Sequence, residues 1–174
     1  MKEFLQLAHD RYSVRKFSDR PVEKEKLEKI IEAGKAAPTA VNFQPFKLFV
    51  FENKESIEKL SQAHHFAFAK NIPAVIIVGS DSTKSWKRQF DGLDYANIDA
   101  AIVATHIMLE IHDLGLGSTW CGHFDQAKVK ELFPETEGYN LIAMFPIGYI
   151  ADDAEPSKMH FVCKAEEDII KRFA

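Results

Sequence analysis

The stretch at residues 95–114 constrains the fold most, because its helical periodicity is apolar on most of its circumference. A surface helix needs cover on one face, whereas a helix of this kind needs cover on several sides. In a chain of 174 residues we expect part of that cover to come from a partner subunit. The side chains that spread this apolar surface are Ile98, Ala101, Ile102, Thr105, Met108, Leu109 and His112.

Composition limits the class of protein. With 46% hydrophobic residues, the chain can form one domain over 1–174 with a sizeable core, which excludes disorder. A formal net charge of −4 argues against a nucleic-acid partner. No apolar run approaches the ~20 residues of a membrane span, and the first residues lack a signal region. Cys121 and Cys163 are too few for a disulfide framework, so we expect a cytoplasmic protein.

Periodicity, prolines and caps predict helices separated by short strands. Strands well separated by helices of unequal length indicate an α+β or α/β fold with a helix-covered sheet. An apolar, β-branched run at 74–78 is typical of a buried strand. Four further helices are expected: one at 2–8, one that carries Leu27, Ile30 and Ile31 and ends before Pro38, one that Asn53 caps, and one at 125–133. Two further strands are expected at 46–51 and 141–149, followed by a charged tail.

A basic cluster at Arg11, Ser13 and Arg15 has side chains at every second position. In an extended segment all three lie on one face. Two guanidiniums and a hydroxyl then suit a phosphate or a ring carbonyl, because arginine presents a planar fork of donors. The alternative is a solvated basic edge that pairs with nearby acids, and these residues alone favour that alternative.

The segment 37–46 places polar side chains between two prolines. The prolines restrict the backbone, while Thr39, Asn42 and Gln44 carry groups that can hydrogen-bond to the edge of a ring. The segment could also be an ordinary connection between a helix and a strand. Three such side chains held together make a binding loop the better interpretation.

A glycine-rich stretch at 115–123 begins like a dinucleotide-binding fingerprint. It fails that pattern because Trp120 stands at the third glycine and because a helix precedes it. What remains is a backbone that can approach a flat group closely and donate N–H groups to it. Cys121 carries no nucleophile signature, so we expect a small buried side chain.

The histidines raise the possibility of a metal site. His106 and Glu110 are four residues apart on the long helix, and His112 follows. No spacing typical of a zinc or iron site accompanies them, so buried or interfacial histidines are the better interpretation and no metal is predicted.

Four segments in order resemble the nitroreductase family of FMN-dependent oxidoreductases, in its short form. The segment 11–17 is similar to the family's R-R-S-x-R-x-F, with Tyr12 in place of the second arginine. The segment 37–46 is similar to A-P-S-A-x-N-x-Q-P-W, with Thr39 and Phe46 as conservative changes.

The later segments extend the resemblance along nearly the whole chain. Asp99-Ala100-Ala101 followed by the glycines at 115–117 matches D-x-A and G-L-G, and 146–149 matches P-I-G-Y. Each motif alone is weak, but four in order are specific. The resemblance implies an α+β three-layer fold with a mixed, mostly antiparallel sheet covered by helices. It also implies a homodimer with two FMN molecules across the interface.

By motif match, Arg11 and Ser13 would hold the FMN phosphate, and Arg15 the pyrimidine edge of the ring. The 38–44 loop would line the flavin from the other subunit, and backbone amides at 121–123 would lie at its N5 edge. A terminal basic cluster is reduced here to Lys158. The implied cofactor-binding residues are Arg11, Tyr12, Ser13, Arg15, Pro38, Thr39, Ala40, Asn42, Gln44, Cys121, Gly122, His123 and Lys158.

The resemblance implies that FMN carries the reaction, with no catalytic side chain and no metal. Electrons would pass from NADH or NADPH to nitroaromatics, quinones or related flat acceptors by a ping-pong mechanism. A specialised reduction, and a flavin store or sensor with little turnover, remain open alternatives. The acceptor pocket is expected at Phe43, Phe66, Phe68 or Trp86.

Overall fold

A computed structural model describes residues 3–64 and 72–173. Over these ranges the strands form one antiparallel sheet in the order β1-β2-β4-β3. The antiparallel register excludes the α/β alternative and confirms the α+β fold. The strands are β1 (Phe46–Phe51), β2 (Ala74–Ser80), β3 (Gly117–Ser118) and β4 (Asn140–Gly148).

The helices are α1 (Phe4–Asp10), α2 (Lys24–Ala36), α3 (Lys54–Leu60), α4 (Ala96–Asp113), α5 (Gln126–Leu132) and α6 (Glu166–Ile169). Helices α1 to α5 lie close to where the sequence predicts helices, whereas α6 lies in the segment predicted only as a charged tail. Asn53 accepts a hydrogen bond from Ser56 N at 2.9 Å and so caps the third helix, as expected. The second helix ends two residues before Pro38.

Strand β2 is buried along its whole length and separates two apolar clusters. Ile76 and Val78 pack into the cluster formed with α2 and α4, while Val75 and Ile77 pack into the one formed with α3 and α5. This alternation follows from the two-residue period of a strand. Each fully buried aliphatic side chain contributes roughly 1.5–3 kcal/mol, so the two clusters hold helices on both faces of the sheet.

Helix α4 has one face inside the chain and an apolar face partly outside it. The expected partner-facing side chains are exposed or half-buried, with Ile98 39% exposed. None of the helices in the described ranges is long and apolar enough to cross a membrane. The residues that α4 buries within the chain are Ala96, Asp99, Ala100, Val103, Ala104, Ile107 and Ile111.

The sequence did not predict strand β3, because residues 115–122 showed only a glycine-rich stretch with no strand periodicity. Its residues pair with the end of β4, Gly117 opposite Gly148. A Cβ on Gly117 would lie 2.9 Å from Val14 Cβ and 2.8 Å from Ile150 Cγ1. This glycine therefore allows the basic 11–17 segment to approach the sheet.

The Tyr149 side chain ties the end of β4 to two helices. Its hydroxyl donates to the Glu23 carboxylate at 2.7 Å and accepts from Lys26 Nζ at 2.9 Å. Lys26 Nζ also donates to Leu114 O at 2.7 Å, just beyond α4. The hydrogen bond from Tyr149 is the main reason that the pKa of Glu23 is lowered to about 2. These contacts fix α2 and the end of α4 beside β3.

Candidate cofactor site

The basic segment lies along the edge of β3. Val14 N donates to Ser118 O at 2.9 Å, and Ser13 pairs with Ser118 in a single parallel bridge. Val14 is buried, so its neighbours Ser13 and Arg15 direct their side chains away from the core. The predicted common face of Arg11, Ser13 and Arg15 therefore lies beside the β3 backbone.

The charges of Arg11 and Arg15 are not neutralised by acids within the described ranges. Arg15 Nη1 donates only to Ser13 O, at 3.3 Å. Neighbouring cations differ, since Lys16 pairs with Asp153 at 2.7 Å and Arg20 bonds to the Glu23 carboxylate. The solvated basic edge with acidic partners is thus a poor description of these two arginines, which remain available to an anion.

The Ser118 hydroxyl is a further polar group at this point. Its oxygen is buried and has no hydrogen-bond partner among the described residues. Buried hydroxyls without partners are uncommon, and each needs an explanation. Ser118 pairs with Ser13, which lies between Arg11 and Arg15 in the sequence. The buried hydroxyl therefore belongs to the residue that pairs with the basic segment.

Beyond β3, the backbone of Cys121 is hydrogen-bonded within the chain, whereas Gly122 and His123 lie at the surface. Cys121 N donates to Met144 O at 3.0 Å and Cys121 O accepts from Met144 N at 2.9 Å, so this amide is already used. Gly122 and His123 are exposed, and their N–H groups make no backbone bond to a described residue. Of the three backbone N–H groups predicted as donors to a ligand at 121–123, those of Gly122 and His123 therefore remain available.

Cys121 is buried, as expected for a small apolar side chain. Burial raises the pKa of its thiol to about 12, and the nearby Arg15 charge offsets this only slightly. The thiol is therefore neutral at ordinary pH, and it cannot serve as a nucleophile.

Residues 150–160 return along the other side of the basic segment. Ala151 N donates to Lys16 O at 3.2 Å, and the Tyr12 and His160 rings lie 6.2 Å apart between centroids. A short 3₁₀ turn over Lys158–Phe161 follows Ser157, whose hydroxyl accepts from the Met159 N–H. This course brings the exposed Lys158, two residues before His160, to the side of the basic segment on which Tyr12 lies. The contact of Lys158 with a phosphate stays a prediction.

The 38–44 loop adopts a strained backbone. Val41, Asn42 and Gln44 have φ values of 54°, 56° and 52°, a region that a β-branched residue such as Val41 rarely enters. Gln44 N donates to Thr39 Oγ1, and Gln44 Nε2 donates to Asn42 Oδ1, each at 3.0 Å. Strain of this kind concentrates at binding sites, which favours the binding loop over the ordinary connection.

The loop and the arginines lie at opposite ends of α4 within one chain. Ala40 N donates to Asp99, in the first turn of α4, whereas Ser118 follows the last turn by five residues. An α-helix of this length, 18 residues, spans about 27 Å. The structure therefore brings together the 11–15, 117–123 and 158 groups, and places the 38–44 group apart from them.

The expected pocket residues divide into three cases. Phe43 is exposed in the strained loop, whereas Trp86 packs edge-on against Tyr95 at 4.8 Å between centroids. Phe66 and Phe68 lie outside the described residues.

Within the described ranges no group of three His, Cys, Asp or Glu side chains could hold a metal. His106, one of the histidines considered for such a site, has its Nδ1 2.9 Å from Ile102 O.

Comparison with known proteins identifies the family. The model of the Nitroreductase family matches residues 8–65 and 61–149, which together cover most of the chain. The chain belongs to the nitroreductase family. This confirms the resemblance carried by the four sequence segments.

Named relatives and solved structures agree with this membership of the nitroreductase family. A Methanothermobacter thermautotrophicus protein named NADH dehydrogenase/NAD(P)H nitroreductase is 31% identical over 169 residues, covering 91% of this chain and 86% of that protein. A nitroreductase family protein from Clostridium difficile 630 superposes with a TM-score of 0.87 at 37% identity, covering 98% of each chain. An FMN-dependent nitroreductase from Clostridium difficile R20291 has a TM-score of 0.79 at 26% identity, covering 98% of this chain and 100% of that one. This nitroreductase thus belongs among the NAD(P)H-dependent oxidoreductases.

The two cysteines should differ sharply toward an alkylating reagent. We expect iodoacetamide at pH 8 to modify the exposed Cys163 and to leave Cys121 intact until denaturant is added, because only a thiolate reacts. Mass spectrometry of the intact protein gives the count. Cys163→Ser should take up no label in the native state, and rapid labelling of that variant would contradict the neutral, buried thiol.

Proposed function

We propose that this nitroreductase is an FMN-dependent enzyme that passes electrons from NADH or NADPH to flat acceptors such as nitroaromatics or quinones, in a ping-pong cycle. The observation that supports it most is the group formed by Arg11, Arg15 and the buried Ser118 hydroxyl. The arginines have no acidic partner, and Ser118 Oγ has no partner, within the described ranges. These donors fit a group that carries both a phosphate and a ring with carbonyl oxygens.

The side chains divide into two tasks. Arg11 and Ser13 bind the phosphate, with Lys158 as a further cation supplied by the returning tail. Arg15 follows Val14, whose N–H is bonded to Ser118 O, and it binds the pyrimidine edge of the ring, where its charge stabilises the negative charge that develops on reduction. Tyr12 packs against His160 and so holds the tail in place.

FMN, when bound, supplies the hydride chemistry, so the chain needs no nucleophile. Gly122 and His123 donate backbone N–H groups to the ring edge. The loop residues Pro38, Thr39, Ala40, Asn42 and Gln44 cover the ring from the partner subunit. The neutral Cys121 thiol neither accepts nor donates a proton at ordinary pH.

A homodimer is the arrangement that completes this site. One chain holds the arginines and the loop at opposite ends of a helix about 27 Å long, too far apart to contact one isoalloxazine ring together. Two α4 helices packed antiparallel would bring each loop to the partner's arginines. The tail adds apolar side chains that one chain leaves exposed, namely Met159, Phe161, Val162, Ile169, Ile170 and Phe173.

The decisive experiment identifies the cofactor and tests its reduction. Heating the purified protein should release FMN, identified by chromatography. Addition of NADH or NADPH without oxygen should bleach the yellow colour, and a quinone or nitroaromatic should restore it. Release of FAD would contradict the cofactor. Bound FMN that neither nucleotide bleaches would leave a flavin store or sensor instead of an enzyme.

The two arginines should separate by their effects. Arg11→Ala should weaken FMN binding about ten- to a hundredfold, because it removes a charge-assisted bond worth ~1.5–3 kcal/mol. Arg15→Ala should bind oxidised FMN better than Arg11→Ala does but lower the midpoint potential, since it removes a charge that favours the reduced ring. About 30 mV corresponds to ~1.4 kcal/mol for two electrons.

Lys16→Ala is the matched control for both arginine variants. It removes a cation from the same segment, but Lys16 points to the other face and pairs with Asp153. Its FMN affinity and potential should equal those of the original protein. A potentiometric titration in which Arg15→Ala also keeps the original potential would contradict the assignment of Arg15 to the ring edge.

Light scattering should show a dimer of twice the 19.8 kDa chain mass. Ile98→Glu should shift the protein toward monomer and release FMN, because it introduces a charge into the apolar face of α4. An FMN-loaded species that remains monomeric at micromolar concentration would contradict the dimeric site.

A further inference from the structure

Asp99 is a buried carboxylate that the proposed function does not use. It lies in the first turn of α4 and is 1% exposed. Its Oδ1 accepts a hydrogen bond from Ala40 N at 2.9 Å, and its Oδ2 is buried without a partner among the described residues. Burying a carboxylate is costly when so few donors meet it, and the helix N-terminus offsets that cost only in part. The contact that Asp99 makes with Ala40 therefore indicates what this carboxylate does.

The partner of Asp99 is the start of the strained loop. Ala40 opens the 3₁₀ turn Ala40–Asn42, and the positive φ angles begin at the next residue, Val41. Backbone in this region persists only where its surroundings hold it. Most hydrogen bonds in the loop run from one loop residue to another, such as Asn42 N to Thr39 O at 3.0 Å. Such bonds shape the loop but do not fix its position relative to the rest of the chain.

Among the described residues, two hydrogen bonds attach the loop to the body of the protein. At one end Asp99 holds Ala40, and at the other end Pro45 O accepts from Asp81 N at 2.9 Å, just beyond β2. The Pro45 hydrogen bond extends the pairing of β1 with β2 by one residue, since β1 starts at Phe46 and β2 ends at Ser80. The Asp99 contact is different, because it crosses from a loop to a helix 59 positions away and uses a side chain.

We propose that Asp99 is a positioning residue, which fixes the strained 39–44 loop on α4 through the Ala40 N–H and thereby presents Asn42 and Gln44 to the flavin. The anchoring stands on the contacts above, whereas its effect on the cofactor rests on the proposed function. Asp99 itself does not touch the cofactor. Its carboxylate acts by supplying one acceptor at a fixed place.

The test compares Asp99→Ala with Asp99→Asn. Alanine removes the acceptor, whereas asparagine keeps an oxygen that can accept from Ala40 N. Asn53→Ala is the matched control, because it also removes a side-chain acceptor from a backbone N–H, at the start of α3. Two quantities are measured for each, namely hydrogen exchange of the Ala40 amide in the FMN-free protein by NMR, and the Kd for FMN by fluorescence titration.

Asp99→Ala should speed exchange of the Ala40 amide at least ~tenfold and weaken FMN binding about tenfold. Asp99→Asn should stay close to the original protein in both. Asn53→Ala should lower the melting temperature and change neither quantity, which separates positioning from general loss of stability. If Asp99→Ala does not fold, Asp99→Leu replaces it, since leucine fills the volume without offering an acceptor.

Unchanged Ala40 exchange in Asp99→Ala would overturn the anchoring. An asparagine variant that behaves like alanine would also overturn it, because the oxygen acceptor would then not be what holds the loop. Faster exchange with unaltered FMN affinity would overturn the effect on the cofactor. If the original protein binds no FMN while the Ala40 exchange responds as expected, the proposed function fails and the anchoring by Asp99 is supported.

Discussion

The hydrogen bond from Val14 N to Ser118 O is the contact on which the rest of the candidate site depends. It pairs an extended basic segment with a two-residue strand and thereby decides which side chains point outward. The pairing is possible because Gly117 has no Cβ to meet Val14. It also covers a sheet edge that would otherwise remain open. The arginines are thus placed by backbone geometry, and their own contacts add little.

Helix α4 organises the remainder. It begins at the anchor of the strained loop and ends shortly before β3, so it sets the distance between the two halves of the site. Its apolar outer face is what a second copy would cover, including Ile98. In the proposed dimer, cofactor binding and association would be linked by mass action, because a ligand held by both protomers stabilises only the dimer.

Much of the fold was predictable because its elements carry strong local signals. The apolar run of β2, the Asn53 cap and the proline after α2 each act within a few residues. Strand β3 was not predictable from periodicity, since two residues have none, and the reason for Gly117 lies in its contact with Val14.

The sequence predicted some features of the candidate site and not others, depending on the segment. The alternation at 11–15 indicated a common face, which the buried Val14 explains. The positive φ of Val41 leaves no trace in sequence, because valine is among the residues least suited to it. Asp99 was visible as part of a motif, but its bond to Ala40 joins positions far apart in the chain. Only the folded chain shows that the two halves of the site lie at opposite ends of α4.

The central claim, that each site takes arginines from one protomer and the loop from the other, is best tested by mixing two deficient variants. Arg11→Ala lacks a phosphate ligand, and the double variant Asn42→Ala, Gln44→Ala lacks the loop side chains. Unfolding and refolding them together should restore about a quarter of the normal FMN sites, because half the dimers are mixed and each holds one intact site. No recovery above the separate variants would contradict a site shared between subunits.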